Sequence, residues 1–416
     1  MTNYEKRMTM KKLLAILATT LLLCSLFAIP VGAETTQEPL VDFIVDVESG
    51  RSPRILHIGD PQIVDPTQYP NDPDADNDPK KRLKDMEERC FRYIRQVVHN
   101  TQPDLILIAG DLVYGSYDHS GEAFKELVKF LDSFGIPWAP VYGNHDAETN
   151  MGVLWQNEQL INAEHCLFKK GDVTGNGNYT VGIRQNGKLT RVFFMMDSNG
   201  CNNPGKASIM HVMPGGKGFM EDQVEWFTRQ GAAIKEAYPD ANVSFVFHIP
   251  FVAFNDAMAT AGRGDKGLTA KGNEGFGYGS GNGSDWDRNH AIYEAMKDLG
   301  TDSILVGHLH HTSASVVYDG IRFQFAQKCS SYDSINYRLE DGTITSSYDP
   351  TTGEPIVGGT LMLMEEQTGD FTEFEIVLYK EEPKEEKNNF MRWIPVVCAV
   401  VPALLAAFVV LRNKKG

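Results

Sequence analysis

The chain reads as an α/β protein of two mixed sheets packed face to face, with helices outside. Three observations predict this. Between residues 54 and 141, strand and helix alternate as in a parallel βαβ unit. The second half instead gives a hairpin signal and short apolar runs suited to antiparallel pairing. Five apolar runs end in Gly, Asp, Asn or His, at the strand ends where open α/β sheets place their ligands.

Taken in order, Leu40 to Val47 alternates apolar and polar residues and reads as a strand. Arg54 to Ile58 is a second, closed by Gly59-Asp60-Pro61-Gln62. The polar stretch Asn71 to Pro79 is a loop, and Leu83 to Val98 has helical spacing of apolar residues. Leu105 to Ala109 is a continuous apolar strand closed by Gly110-Asp111-Leu112-Val113-Tyr114. Phe124 to Phe134 is an amphipathic helix. Ile136 to Val141 is a short buried strand despite two prolines, and it runs into Gly143-Asn144-His145-Asp146. Tyr179–Ile183 and Thr190–Met195 flank Gln185-Asn186-Gly187-Lys188 as a hairpin. Phe219 to Ala237 is a helix, and Val243 to Phe247 a strand ending at His248-Ile249-Pro250. The Gly-rich stretch 262–284 is a loop, and Ala291 to Leu299 a helix. Ser303 to Val306 is a strand ending at Gly307-His308-Leu309-His310-His311. Val316–Tyr318, Ile321–Phe325, Leu361–Met364 and Phe371–Leu378 are antiparallel strands.

The ends of the chain predict its location. Arg7, Lys11 and Lys12 precede an apolar run from Leu13 to Phe27, and Val31-Gly32-Ala33 is a small-residue cleavage site. Residues 1–33 therefore read as an export signal, with an uncleaved anchor as the alternative. Residues 34–380 form the folded domain, and 381–393 a charged linker. Ile394 to Leu411 carries no charge and would span about 27 Å as a helix, enough for a bilayer core. The basic tail 412–416 is expected on the cytoplasmic side, which makes the chain a single-pass membrane protein with an extracellular ectodomain. A net charge of −16 argues against nucleic acid as a partner. Cys90, Cys166, Cys201 and Cys329 could pair in three ways in an exported domain, with no CxxC to suggest a thiolate metal site.

The strand-end residues share a chemistry. Cleaving a phosphate ester requires charge neutralised on the phosphoryl oxygens and a nucleophile at moderate pH. Two metal ions held by oxygen and imidazole ligands supply both, with a metal-bound water or hydroxide as nucleophile. The five motifs, in this order over roughly residues 53 to 330, resemble the calcineurin-like metallophosphoesterase superfamily. Asp197-Ser198, Gln223-Val224-Glu225-Trp226 and His248-Ile249-Pro250 resemble its purple-acid-phosphatase-like branch. The resemblance implies a four-layer αββα sandwich and a centre of two ions, Fe, Mn or Zn. One ion would take Asp60, Asp111 and His310, the other Asp111, Asn144, His248 and His308. His145 would be the outer-sphere acid, with Asp146 orienting it.

The first motif departs from the family in having Gln62 where His is usual. Gln62 can ligate through its amide oxygen. Tyr114 stands where purple acid phosphatases place a ferric-iron ligand; its alternative role is a packed aromatic beneath the site. His57 reads as a core residue; His311 could lie beside the ligands, its alternative being a residue with no part in the site. Asn199, Asn255 and Tyr278 could reach a substrate from loops. The resemblance thus implies a metal-dependent phosphoric ester hydrolase acting on a small phosphate ester. The alternative is a non-catalytic surface protein that keeps the fold to bind a partner.

Overall fold

The computed structural model describes residues 39–65, 67–68, 79–200, 218–260, 287–310, 312, 314–330 and 357–380, with two-residue strands at 262–263, 269–270, 274–275, 337–338 and 344–345. The export signal, the linker, the 394–411 segment, the tail, Cys201, Tyr278, His311 and most of the Gly-rich stretch lie outside these residues. Among the described residues, no helix is long and apolar enough to cross a membrane. The chain divides into two units, Met1–Leu40 and Val41–Gly416. The architecture below belongs to the second.

The first sheet is built on β2 (Arg54–Gly59), β3 (Leu105–Ala109) and β4 (Trp138–Val141), which pair in parallel. Every residue of β3 is buried, as expected of a central parallel strand covered on both faces. Pro140 is tolerated because β4 is the last strand on its side of the sheet, and its carbonyl accepts the Tyr179 hydroxyl at 2.7 Å.

The second sheet runs from β1 (Phe43–Val47) through β5 (Tyr179–Gln185), β6 (Lys188–Met195) and β7 (Asn242–Val246) to β8 (Ser303–Val306), β10 (Ile321–Phe325) and β9 (Ser315–Tyr318). β6, β7, β8 and β10 are parallel, and hairpins attach β5 and β9 at either side. The first sheet is completed by β11 (Gln327–Lys328), beside the end of β2, and by the antiparallel pair β12 (Gly358–Met364) and β13 (Phe371–Leu378). The expected strands are all present. The β5–β6 turn places Asn186 at φ 52° and Gly187 at φ 75°, the type I′ geometry that an Asn-Gly pair favours.

One apolar core joins the two sheets. Leu105 and Leu107 of the first share it with Val181, Phe193, Met195, Val246 and Leu305 of the second. Helices cover the outer faces. On the first sheet, α1 (Pro79–Thr101) brings Val97 beside Leu56 and Ile58, so Gly359 of β12 leaves room where a Cβ would meet all three. The amphipathic helix α2 (Glu122–Asp132) follows β3. On the second sheet, Phe227 of α4 (Glu221–Ala237) packs edge-on to Phe194 and Phe245. Phe254 of α5 (Ala253–Thr260) does the same to Phe323 and Phe325. The last helix, α6 (Asp287–Leu299), contacts α4.

Two helices were not expected from the sequence: α3 (Val153–Asn162) and α5. The buried face of α3 is Val153, Gln156, Asn157 and Leu160, so half of its inward positions are polar and the apolar period disappears. Those amides support the site: Gln156 donates to the Asp146 carbonyl, and Asn157 accepts the Tyr142 hydroxyl. Cys90, Cys166 and Cys329 are buried, with no disulfide among the described residues.

Candidate metal centre and its histidine cradle

The five motif ends converge. Asp60 and Gln62 follow β2, Asp111 follows β3, Asn144 and His145 follow β4, His248 follows β7, and His308 and His310 follow β8. All lie at the carboxyl ends of parallel strands, where the two sheets present their ligand side. Four of these residues occupy the left-handed region: Asp60 (φ 53°), Gln62 (φ 46°), Asp111 (φ 50°) and His308 (φ 74°). Non-glycine residues rarely adopt it, at a cost of about 1–2 kcal/mol each, so such a cluster marks a functional geometry that the surrounding fold enforces.

The distances define two overlapping groups. Asp60 Oδ1 lies 3.3 Å from His310 Nε2, and both Asp60 oxygens accept the His308 amide at 3.2 Å. Asp111 Oδ2 lies 3.4 Å from His248 Nε2 and accepts the Gln62 amide at 3.1 Å. His248 Nε2 is also 3.0 Å from Asn144 Oδ1 and 3.3 Å from His308 Nδ1. Ligand atoms of Asp60, Asp111 and His248 all fall within 4.8 Å of one another.

The donor set fits a cation. His248 Nδ1 donates to the Ala109 carbonyl at 2.7 Å, which leaves Nε2 as a bare lone pair. That lone pair, on a fully buried ring, meets a carboxylate oxygen, an amide oxygen and a second imidazole. Acceptors gathered this way repel one another unless a positive charge sits among them. In the metal-free protein that charge is a proton. Burial works to lower the His248 pKa, but the Asp111 carboxylate and Asp60 push it up to about 9. Burial works to raise Asp111, and the His248 and His145 charges outweigh it and hold it well below the usual carboxylate range. Burial and the His248 charge push His308 down to about 3, so it is a neutral ligand at any ordinary pH.

Close approach sets the spacing. A Cβ on Gly143 would lie 2.2 Å from Asp111 Oδ1, and one on Gly110 would lie 2.5 Å from His248 Nδ1. Gly143→Ala must therefore push Asp111 out of the cage. The same Cβ would lie 2.4 Å from the Asp111 backbone nitrogen, so we expect metal affinity to fall at least tenfold and the metal-free protein to lose stability as well. Calorimetric titration with Mn²⁺ measures this, and unchanged affinity would contradict the close packing.

His145 stands at the rim, its amide donating to Asp111 Oδ1 at 2.9 Å. Sequence reasoning gave Asp146 the task of orienting it. The structure corrects this. The two Asp146 oxygens accept the Gly143 and Val113 amides at 2.6 and 3.1 Å, so Asp146 ties the β4 turn to the segment after Asp111. The carboxylate on the imidazole is Glu148, whose Oε2 is 3.0 Å from His145 Nδ1. Its signal in the sequence was the spacing of three from His145, which one 3-10 turn turns into adjacency. Burial works against charge on His145, but Asp111 and Glu148 outweigh it and raise its pKa. Burial and the Asp111 charge push Asp146 up to about 7. The Tyr114 ring packs 5.0 Å from Tyr117 and 4.3 Å from the His145 ring, beside the site. Asn199 donates to Gln223 and the Gly218 carbonyl, so its amide nitrogen is committed to the protein.

The profile of the calcineurin-like phosphoesterase family matches residues 53–312. Phosphatase DCR2 of Saccharomyces cerevisiae is 25% identical over 230 residues, 51% of this chain and 36% of that protein. The probable inactive purple acid phosphatase 29 of Arabidopsis thaliana is 26% identical over 226 residues, 48% of this chain and 56% of that protein. The chain thus spans about a third of the yeast relative and about half of the plant one. Among solved structures, a dimetal phosphatase from Danio rerio aligns over 79% of this chain and 98% of its own, with 12% identity and a TM-score of 0.44.

Proposed function

This chain belongs to the calcineurin-like phosphoesterase family, and on that premise we propose that it hydrolyses phosphate esters at a centre of two metal ions, outside the cytoplasm, from a single-pass membrane anchor. The observation that carries the enzymatic part is the cage itself. Asp111, Asn144, His248 and His308 turn acceptor atoms onto one point, and Asp60 and His310 do so beside it. A module that only bound a partner would have no use for buried carboxylates and imidazoles in strained backbone.

The residues present divide the work. Asp60, Asp111 and His310, with Gln62, would hold one ion; Asp111, Asn144, His248 and His308 would hold the other. Bound there, the ions would supply positive charge for the phosphoryl oxygens and acidify a water. His145 keeps a proton at the rim and gives it to the leaving oxygen as the ester bond breaks. Asp146 fixes the turn that carries Asn144 and His145, so a ligand and the acid are held by one carboxylate.

The anchor rests on the basic and apolar ends of the sequence. A second reading, a non-catalytic surface protein, draws on Gln62 and on the inactive label of the plant relative. One experiment separates them. Intact cells expressing the full chain are supplied with Mn²⁺ and a membrane-impermeant aryl phosphate. Turnover is expected without lysis, and loss of on the order of 10²–10⁴-fold in His145→Ala. Absence of metal-dependent turnover would favour the binding protein; turnover only after lysis would remove the outward location.

A further inference from the structure

We propose that Glu148, held by Ser116, is the positioning residue that fixes the His145 ring by keeping Nδ1–H on its own carboxylate, so that Nε2 carries the proton the leaving oxygen takes. The inference rests on the phosphoesterase reading for its catalytic consequence, but its geometry stands independently. Glu148 is 1% exposed. Its Oε2 is 3.0 Å from His145 Nδ1 and accepts the Ser116 hydroxyl at 2.7 Å. A buried carboxylate needs such partners, and both come from structure built around the motif histidine.

That structure is two short 3-10 turns locked together, Gly115–Tyr117 after the Asp111 strand and Asp146–Glu148 after the Asn144 strand. The Gly115 amide donates to the His145 carbonyl at 3.1 Å. A Cβ on Gly115 would lie 2.5 Å from that same oxygen. The Thr149 hydroxyl donates to the Asp118 carbonyl at 2.6 Å, and the Val113 amide to Asp146. Tyr114 packs its ring against the imidazole from the first turn. The imidazole is therefore held on one face by an aromatic ring and on one nitrogen by a carboxylate. With Nδ1 engaged by Glu148, the proton transfer is assigned to Nε2.

The step this serves is balanced as follows. A water oxygen forms a bond to phosphorus and gives up a proton to solvent, while the bond from phosphorus to the leaving oxygen breaks and its electron pair goes to that oxygen. The proton on His145 Nε2 moves to the same oxygen, while Nδ1–H stays on Glu148. Leaving groups that are poor without a proton depend on this step, and activated ones do not. A residue that merely stabilised the fold would affect both alike.

Full-length protein carrying Glu148→Ala, Glu148→Gln or Ser116→Ala is compared with wild type on an alkyl phosphate and on 2,4-dinitrophenyl phosphate, each with Mn²⁺. For Glu148→Ala we expect kcat on the alkyl ester to fall roughly 10–100-fold, with KM little changed and the dinitrophenyl ester within about threefold of wild type. Glu148→Gln, which keeps an acceptor oxygen, should recover part of the loss. Equal losses on both esters would overturn the proposal. The metal-free protein gives a second readout, the imidazole ¹⁵N–¹H spectrum, with His145→Ala assigning the signal. A hydrogen-bonded Nδ1–H that disappears in Glu148→Ala supports the positioning; a signal unchanged in that variant overturns it. If wild type turns over neither ester, the phosphoesterase reading falls, and the spectrum alone decides the positioning.

Discussion

Replacing Asp111 by Asn is expected to abolish metal binding and to lower turnover by about three orders of magnitude or more. The reason is that, in the proposed assignment, both ions would share this carboxylate. Oδ2 faces His248 Nε2 and takes the Gln62 amide, and Oδ1 takes the His145 amide. An Asn at this position is neutral and has one acceptor where the cage needs two. Several kcal/mol of charge stabilisation would go with it, and every ~1.4 kcal/mol is a tenfold rate. Metal-free stability also changes, because the protonated, fully buried His248 loses the charge that pairs it. Two measurements check this. Elemental analysis should find at most a trace of metal in Asp111→Asn. Added Mn²⁺ should raise the wild-type unfolding free energy by about 2.7 kcal/mol at a hundred times its dissociation constant, and the variant's not at all. A variant that kept two ions per chain and most of its turnover would show that Asp111 does not bridge.

How far the sequence carried this site depends on what kind of signal each part left. Asp60, Asp111, Asn144, His248, His308 and His310 were legible because each follows a run of buried apolar residues, so pattern and chemistry changed at the same position. The strands were legible for the same reason. β3 and β8 begin and end where the apolar runs do. What the sequence hid was polar structure doing inward work. Gln156 and Asn157 turned α3 into an unreadable stretch. Arg191, in a strand where a charge normally faces water, is fully buried between the sheets. There it forks onto Asp302, donates to the Gly369 carbonyl and stacks 3.8 Å from the Phe371 centroid. Glu148 was passed over because an acid after Gly-Asn-His-Asp is ordinary in composition. Only the 3-10 turn, which no periodicity announces, brings it to the ring.

His57 is expected to make the fold acid-sensitive, and His57→Leu to relieve it. This ring sits in the middle of β2, between Leu107 on one neighbouring strand and Thr360 on the other. It is fully buried, and neither ring nitrogen has a hydrogen-bond partner among the described residues; the Thr360 hydroxyl has none either. Burial alone pushes its pKa down to about 3. In the unfolded chain the same ring takes a proton near pH ~6.5. Above that pH neither state is protonated and His57 contributes no pH dependence. Between about 6.5 and 3 only the unfolded state binds the proton, so stability falls by about 1.4 kcal/mol for each unit of acidification. Leu cannot titrate and leaves no unpaired nitrogen in the core. We therefore expect His57→Leu to be at least as stable as wild type at pH 7.5, and to gain about 2.7 kcal/mol on it by pH 4.5. Asp118, Asp146 and Asp197, whose pKa values burial raises to about 7, 7 and 6, pull the other way. They are common to both proteins and cancel in the difference. Denaturant titrations of the two at pH 7.5, 5.5 and 4.5 read that difference directly. Parallel stability profiles would mean that the ring is solvated in place, by a water shared with Thr360, and that the core tolerates its charge.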